Sequence, residues 1–145
     1  MTNDYTIEIF DWNRARADAR VVRYAVFVVE QQVPVDLEWD EWDARSDHVL
    51  AKDAQGNPIG TARLLPNGHL GRMAVMAAWR GKGVGGALAR ALLRRADDLA
   101  MARVVLHAQT HAAGFYRKLG FAEFGDRFEE AGIAHIAMAI DLKRS

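Results

Sequence analysis

The stretch Arg72–Ala96, "RMAVMAAWRGKGVGGALARALLRRA", places four glycines (Gly81, Gly83, Gly85 and Gly86) within six residues at the head of a helical segment. A glycine inside a helix costs about 0.5–1 kcal/mol relative to alanine, so the cluster implies a ligand or a packing requirement that offsets it. A strand ending near Met76, a glycine-rich turn and a helix just beyond bring unpaired N–H groups and the positive end of a helix dipole to one point. That arrangement holds an anion, and glycine lets phosphate oxygens reach the backbone. Arg80 and Lys82 add two cations beside those groups, and a charged hydrogen bond to phosphate contributes about 1.5–3 kcal/mol. Close helix–sheet packing is the competing explanation for the glycines.

Two other phosphate-binding patterns fit less well. Gly81-x-Gly83-x-x-Gly86 has the dinucleotide-binding spacing, but that fold needs a parallel unit whose next strand ends in an acid. Here the next strand, "RVVLHAQ", ends in Gln109, and the preceding strand belongs to an antiparallel meander. No G-K-S/T sequence closes a P-loop.

Working outward, "YTIEIF" alternates as a strand and "NRARADARVVRYAVFVVEQQ" has helical apolar spacing, with Asn13 as its expected cap. "VPVDLEWDEWDARS" reads as a loop or short irregular helix. "DHVLAKDA", "PIGTARLLP" and "GHLGRMAVM" form a three-strand meander with turns at "QGN" and Asn67–Gly68. In the helix after the glycines, Leu88, Leu92, Arg95 and Leu99 share one face and Arg90, Arg94 and Asp97 lie nearer the other. A strand "RVVLHAQ", a short helix stopped by Gly120, and two strands in "FAEFGDRF" and "IAHIAMAIDL" complete the order β–α–β–β–β–α–β–α–β–β. This predicts an α+β fold: one mixed, mostly antiparallel sheet with helices on both faces. The apolar last strand is a candidate edge for pairing with a second copy in a homodimer.

The 145 residues fit a single domain over 1–145. Nineteen Lys and Arg balance nineteen Asp and Glu, so no global field points to nucleic acid or an anionic membrane. Cysteine is absent, which excludes disulfides and an acyl group carried on a protein thiol. The N-terminus lacks a signal-peptide pattern and no apolar run reaches membrane-spanning length, so a cytoplasmic protein is expected. His107 and His111 fall on a strand and at a helix start, which argues against a zinc pair, and no metal is expected.

"RGKGVG" (Arg80–Gly85) matches R/Q-x-x-G-x-G/A, and "QTHAAGFYRKLGF" (Gln109–Phe121) matches N-x-x-A-x-x-x-Y-x-K-x-G-F except for Gln109 in place of Asn. With these two signatures in order, the chain resembles the GCN5-related N-acetyltransferases (GNAT superfamily) from about Tyr5 to Leu142. The fragments "VFVVEQQVP", "EWD", "DH", "AQTHA" and "AGIAHIAM" are similar to its small bacterial ElaA-like branch. The resemblance implies acetyl-CoA as cosubstrate. Met73, Ala74 and Val75 would bond the pantetheine arm through their backbone, and Arg80, Gly81, Lys82, Gly83, Val84, Gly85 and Gly86 would hold the pyrophosphate. Gln109 would reach the cofactor arm with a longer side chain than the usual Asn. An acceptor amine, on a small molecule or peptide, would attack the thioester directly, with Tyr116 protonating the departing thiolate and backbone N–H near Val75 stabilising the oxyanion. A non-catalytic acyl-CoA-binding or sensing module is the alternative.

Freeing a lysine-like amine of its proton at pH 7 costs about 4–5 kcal/mol, so a general base is expected. Glu30 and His135 are the leading candidates, with Asp43 and His48 beside them. Arg63 and Arg72 either bind an acidic acceptor or pair with loop acids. The loop Asp36–Asp43 carries five acids and two tryptophans, which suits a cationic amine or a solvated loop with its rings folded on the core.

Overall fold

The computed structural model describes residues 4–142 and has the expected order of elements. Strand β1 (Tyr5–Phe10) leads into α1 (Trp12–Arg23), which continues as a π-helical segment, Tyr24–Glu30. Two short 3-10 turns, Val35–Leu37 and Glu41–Arg45, occupy the acidic loop. The meander is β2 (Asp47–Asp53), β3 (Pro58–Leu64) and β4 (Leu70–Val75); α2 (Val84–Asp98), β5 (Arg103–Gln109), α3 (Ala113–Lys118), β6 (Ala122–Glu130) and β7 (Ile133–Asp141) follow.

The strands form two hydrogen-bonded sets, β1-β2-β3-β4 and β5-β7-β6, and this corrects the expectation of one continuous sheet. Between β4 and β5 there is a single parallel bridge, His69 with Val105, where the Val105 N–H donates to the Gly68 carbonyl at 3.0 Å. Gly68 must be glycine here: its φ is +90°, and a Cβ would sit 2.7 Å from the Arg103 carbonyl oxygen. Beyond the bridge the strands part because β4 is bulged. Thr61 pairs with Ala74 but Arg63 with Gly71, leaving one extra residue in β4, and Arg72 takes φ +48°. A bulge bends and twists its strand, and this one turns β4 away from β5.

Alternation along β2 explains the layers. Leu50 packs with Ala15 and Ala19 of α1, while Val49 and Ala51 join Val84, Leu88, Leu92 and Ala96 of α2 on the opposite face. Three local expectations need correction. The cap of α1 is Asp11, whose carboxylate accepts from the Arg14 N–H at 3.0 Å, and not Asn13. Leu99 is exposed because α2 ends at Asp98 and its buried stripe runs through Leu88, Ala89, Leu92 and Ala96. Strand β7 is no edge: it lies between β5 and β6, pairing His135 with Gln109 on one side and Phe128 on the other, so the edge offered for a homodimer is already used.

The acids of the loop are largely consumed beneath α1. Arg23, 1% exposed, donates to both Asp43 oxygens at 2.9 and 3.1 Å and ion-pairs with the buried Glu38 at 2.8 Å. Arg63 donates to Asp43 at 2.9 Å and to Asp40 at 2.6 and 2.9 Å, and Arg72 reaches Asp40 at 3.2 Å. The two arginines therefore pair with the loop. Hydrogen bonds from Arg63 hold Asp40 below the usual carboxylate range, and burial pushes Asp43 upward but is overcome by Arg23 and Arg63. Burial lowers His48, whose Nε2 lies 2.8 Å from the Asp43 carbonyl oxygen.

These shifts have the same sign for stability. The unfolded chain takes up a proton on His48 that the folded chain refuses, so stability falls as pH drops below about 6.5. The two carboxylates stabilise above about 3.9 and lose that contribution as pH falls through their depressed folded values. Urea midpoints between pH 8 and pH 3 are expected to decline in these two stages; a flat profile down to pH 4 would contradict the assignment.

Candidate functional site

Where β4 and β5 part, a cleft of about 1000 Å³ opens. One wall is the open edge of β4, which among the described residues pairs with no strand but β3, from Gly71 to Val75. The cleft continues along Gly81–Gly86 to the start of α2, and Phe27 of the π-helical segment and Phe115 of α3 supply apolar surface. A π-turn widens a helix locally and is common at functional positions.

The four glycines have different reasons. Gly81 and Gly83 adopt φ +76° and +85°, the left-handed region that side chains resist. Gly83 caps α2 with no side-chain acceptor, so the first-turn N–H groups open toward the cleft. Gly85 is a packing glycine, since a Cβ would lie 3.3 Å from Phe115 Cζ, and Gly86 faces the mobile end of Arg90 at 3.2 Å. A backbone requirement at Gly81 and Gly83 and a packing requirement at Gly85 thus both apply, at different positions.

Arg80 and Glu30, expected in separate roles, are brought together. The guanidinium of Arg80 donates to both Glu30 oxygens at 2.8 Å and, through Nε, to the Val75 carbonyl at 3.0 Å. The Arg80 hydrogen bond holds Glu30 below the ordinary carboxylate range, so Glu30 is ionised, engaged at both oxygens and a poor proton acceptor. Lys82 does not itself line the cleft, but its Nζ sits 5.9 Å from the ring centroid of Trp79, which does. Asp43 and His48 belong to the buried network and do not line the cleft, which removes both as bases.

Tyr116 lines the cleft with its hydroxyl donating to Met73 Sδ at 3.5 Å, and burial pushes its pKa up to about 12. Gln109 donates to Gln31 Oε1 at 3.1 Å and lies 2.7 Å from His111 Nε2. His135 also lines the cleft; its Nδ1 is 2.7 Å from the Ile133 carbonyl oxygen, which can only accept, so Nδ1 carries the hydrogen. Three further polar residues of this wall, His69, His107 and Glu130, were not among the expected site residues. Alternation in β5 puts His107 on the face of Gln109 and could have found it. Glu130 arrives from the end of β6 through the hairpin, which no local pattern specifies.

An open strand edge, an uncapped helix start and apolar walls in one cleft suit a long amide-bearing arm that ends in a diphosphate. Among the described residues, no group of three or more His, Cys, Asp or Glu is placed to hold a metal ion, and no helix is long and apolar enough to cross a membrane.

Residues 15–142 match the family model of the acetyltransferase (GNAT) domain. The uncharacterized N-acetyltransferase YjcF of Bacillus subtilis is 38% identical over 128 residues, covering 86% of this chain and 91% of that protein. Protein ElaA of Escherichia coli is 34% identical over 126 residues, 81% of this chain and 82% of that protein. The crystal structure of ElaA superposes with a TM-score of 0.85 at 28% identity, over 95% of this chain and all of that one (100%). An acyl-CoA N-acyltransferase from Pseudomonas aeruginosa gives a TM-score of 0.80 at 30% identity, over 94% and 98% of the two chains.

Proposed function

The chain belongs to the GNAT acetyltransferase family, whose members use acyl-CoA, and from that premise we propose that residues 1–145 act as one catalytic unit transferring acetyl from acetyl-CoA directly to a primary amine of a small molecule or peptide. The observation that carries this reading is the continuity of the free β4 edge with the uncapped start of α2 along one cleft.

In this reading the backbone of Met73, Ala74 and Val75 holds the pantetheine amides, and the N–H groups of Gly81–Gly86 receive the diphosphate. Arg80 is preset by Glu30 at the mouth of that cradle, and Lys82 contributes charge from outside the wall. Gln109, oriented by Gln31 and His111, reaches the arm. The amine nitrogen attacks the thioester carbon, backbone N–H near Val75 stabilises the oxygen that becomes negative, and the C–S bond breaks. Tyr116 gives its hydroxyl proton to the departing sulfur, and an imidazole of the cleft wall, where His135 stands, accepts a proton of the amine.

The test is thiol release from acetyl-CoA with tyramine, putrescine, spermidine and a lysine-containing hexapeptide, with mass analysis of the products. Amine-dependent release and a product heavier by one acetyl group are expected. Release that no amine accelerates, alongside retained acetyl-CoA binding, would instead indicate a non-catalytic acyl-CoA-binding module.

A further inference from the structure

Glu130, at the end of β6, is hydrogen-bonded to one imidazole of the cleft wall and lies near a second. His107 Nδ1 of β5 lies 3.0 Å from Glu130 Oε1, and His135 Nε2 of β7 lies 3.9 Å from Glu130 Oε2. A carboxylate only accepts, so His107 donates through Nδ1 and its Nε2 keeps a lone pair. This is the geometry in which a carboxylate fixes the tautomer of a catalytic histidine. Phe128 packs edge-on to His107 at 4.9 Å and stacks on His135 at 5.9 Å, which holds both rings. His69, ahead of β4, meets His107 edge-to-face at 5.2 Å.

Resting on the acetyl-transfer reading above, we propose that His107, oriented by Glu130, accepts the proton of the incoming amine at Nε2, with Glu130 as a positioning residue. The N–H bond of the ammonium breaks and an Nε2–H bond forms on His107. The freed nitrogen attacks the acetyl carbon; as the C–S bond breaks, sulfur takes the proton of Tyr116, and the second proton of the attacking nitrogen passes to the phenolate, restoring the phenol and leaving a neutral amide. His107, with 38% of its side chain exposed, then returns its proton to water. Its charged surroundings are Glu130 from β6, His135 from β7 and His69 beside β4. Burial, and secondarily the proximity of His107, lower His69 from its ordinary value. His135, 7% exposed with Nδ1 committed to a carbonyl, is the more enclosed of the two imidazoles flanking Glu130.

The experiment compares wild type, His107→Ala, His135→Asn and Glu130→Gln, using the fastest amine of the thiol-release panel. kcat/KM is measured from pH 5.5 to 9, and the acetyl-CoA Kd by calorimetry. His107→Ala is expected to lower kcat about 100-fold, to remove the acidic limb of the pH profile, to leave the acetyl-CoA Kd unchanged and to recover activity with added imidazole. Glu130→Gln is expected to lose about tenfold in kcat with little change in amine KM. His107 and Glu130 are substantially exposed, so the variants should fold. An acidic limb retained in His107→Ala, or lost only in His135→Asn, overturns the assignment while leaving acetyl transfer intact. If wild type acetylates no amine of the panel, acetyl transfer itself fails, and this inference with it.

Discussion

Tyr116→Phe is expected to lower kcat by about 10²–10⁴-fold while leaving the acetyl-CoA Kd and the melting temperature nearly unchanged. The phenol is buried against Phe115 and Phe121, with ring centroids 4.9 and 5.9 Å away, and phenylalanine fills the same space. Among the described residues, the polar contact removed is the 3.5 Å hydrogen bond to Met73 Sδ, a weak acceptor. Because burial raises the tyrosine pKa to about 12, the hydroxyl remains protonated throughout the working range and is available as a donor. Wild-type kcat should therefore show no basic limb from Tyr116 below pH 10. Steady-state kinetics with the best panel amine, beside calorimetry, separate the two effects; a variant with wild-type kcat would remove Tyr116 as the acid.

Asp43→Ala is expected to destabilise the fold by about 3–5 kcal/mol, because it strands two buried guanidiniums at once. Oδ1 of Asp43 accepts from Arg23 and Arg63, both at 2.9 Å, and Oδ2 accepts from Arg23 and from the Asp40 N–H at 3.1 and 3.2 Å. The same carboxylate closes the capping box of the 3-10 turn Glu41–Arg45. Loss of Asp43 should also disturb Asp40, Arg63 and Arg72, which line the cleft. Urea denaturation gives the stability, and an effect under 1 kcal/mol would show that the network is not the structural floor inferred here. The isosteric Asp43→Asn should fall between the two, since it keeps the shape and loses the charge.

Most of the fold was legible in the sequence because period and punctuation agree there. Alternation and the turns at "QGN" and Asn67–Gly68 specify the meander, and the glycine cluster marks both a strand end and a helix start. The separation of β4 from β5 was not legible. It depends on a bulge at Arg72, a non-glycine residue at φ +48°, that no propensity announces. The position of β7 between two partners was likewise hidden, since an apolar strand reads alike at an edge and at a centre.

Within the site, residues on the two signatures were placed in advance by spacing: Tyr116, Gln109 and the glycines all reach the cleft wall. Of the four candidate proton acceptors, His135 and Glu30 also reach that wall. Glu30 is claimed by Arg80, 50 residues away in sequence, and Asp43 and His48 by a network assembled from α1, the acidic loop, β2 and β3. Such long-range ion pairs decide which carboxylates are free, and they leave no local trace. Gly83 and Gly85 look alike in sequence, yet one serves the backbone and the other makes room for Phe115.

Calorimetric titration of acetyl-CoA into wild type, Gly83→Ala and Gly83→Glu tests the phosphate cradle most directly. A Cβ at Gly83 would meet only the Tyr5 hydroxyl at 3.8 Å, so alanine brings left-handed backbone strain of about 1–2 kcal/mol and no clash. Glutamate adds a negative charge where the diphosphate must sit. Saturable binding by wild type, kept within about tenfold in Gly83→Ala and weakened at least ~100-fold in Gly83→Glu, is the predicted result. Equal affinity in wild type and Gly83→Glu, or no binding of acetyl-CoA by wild type, would contradict a cradle at the start of α2.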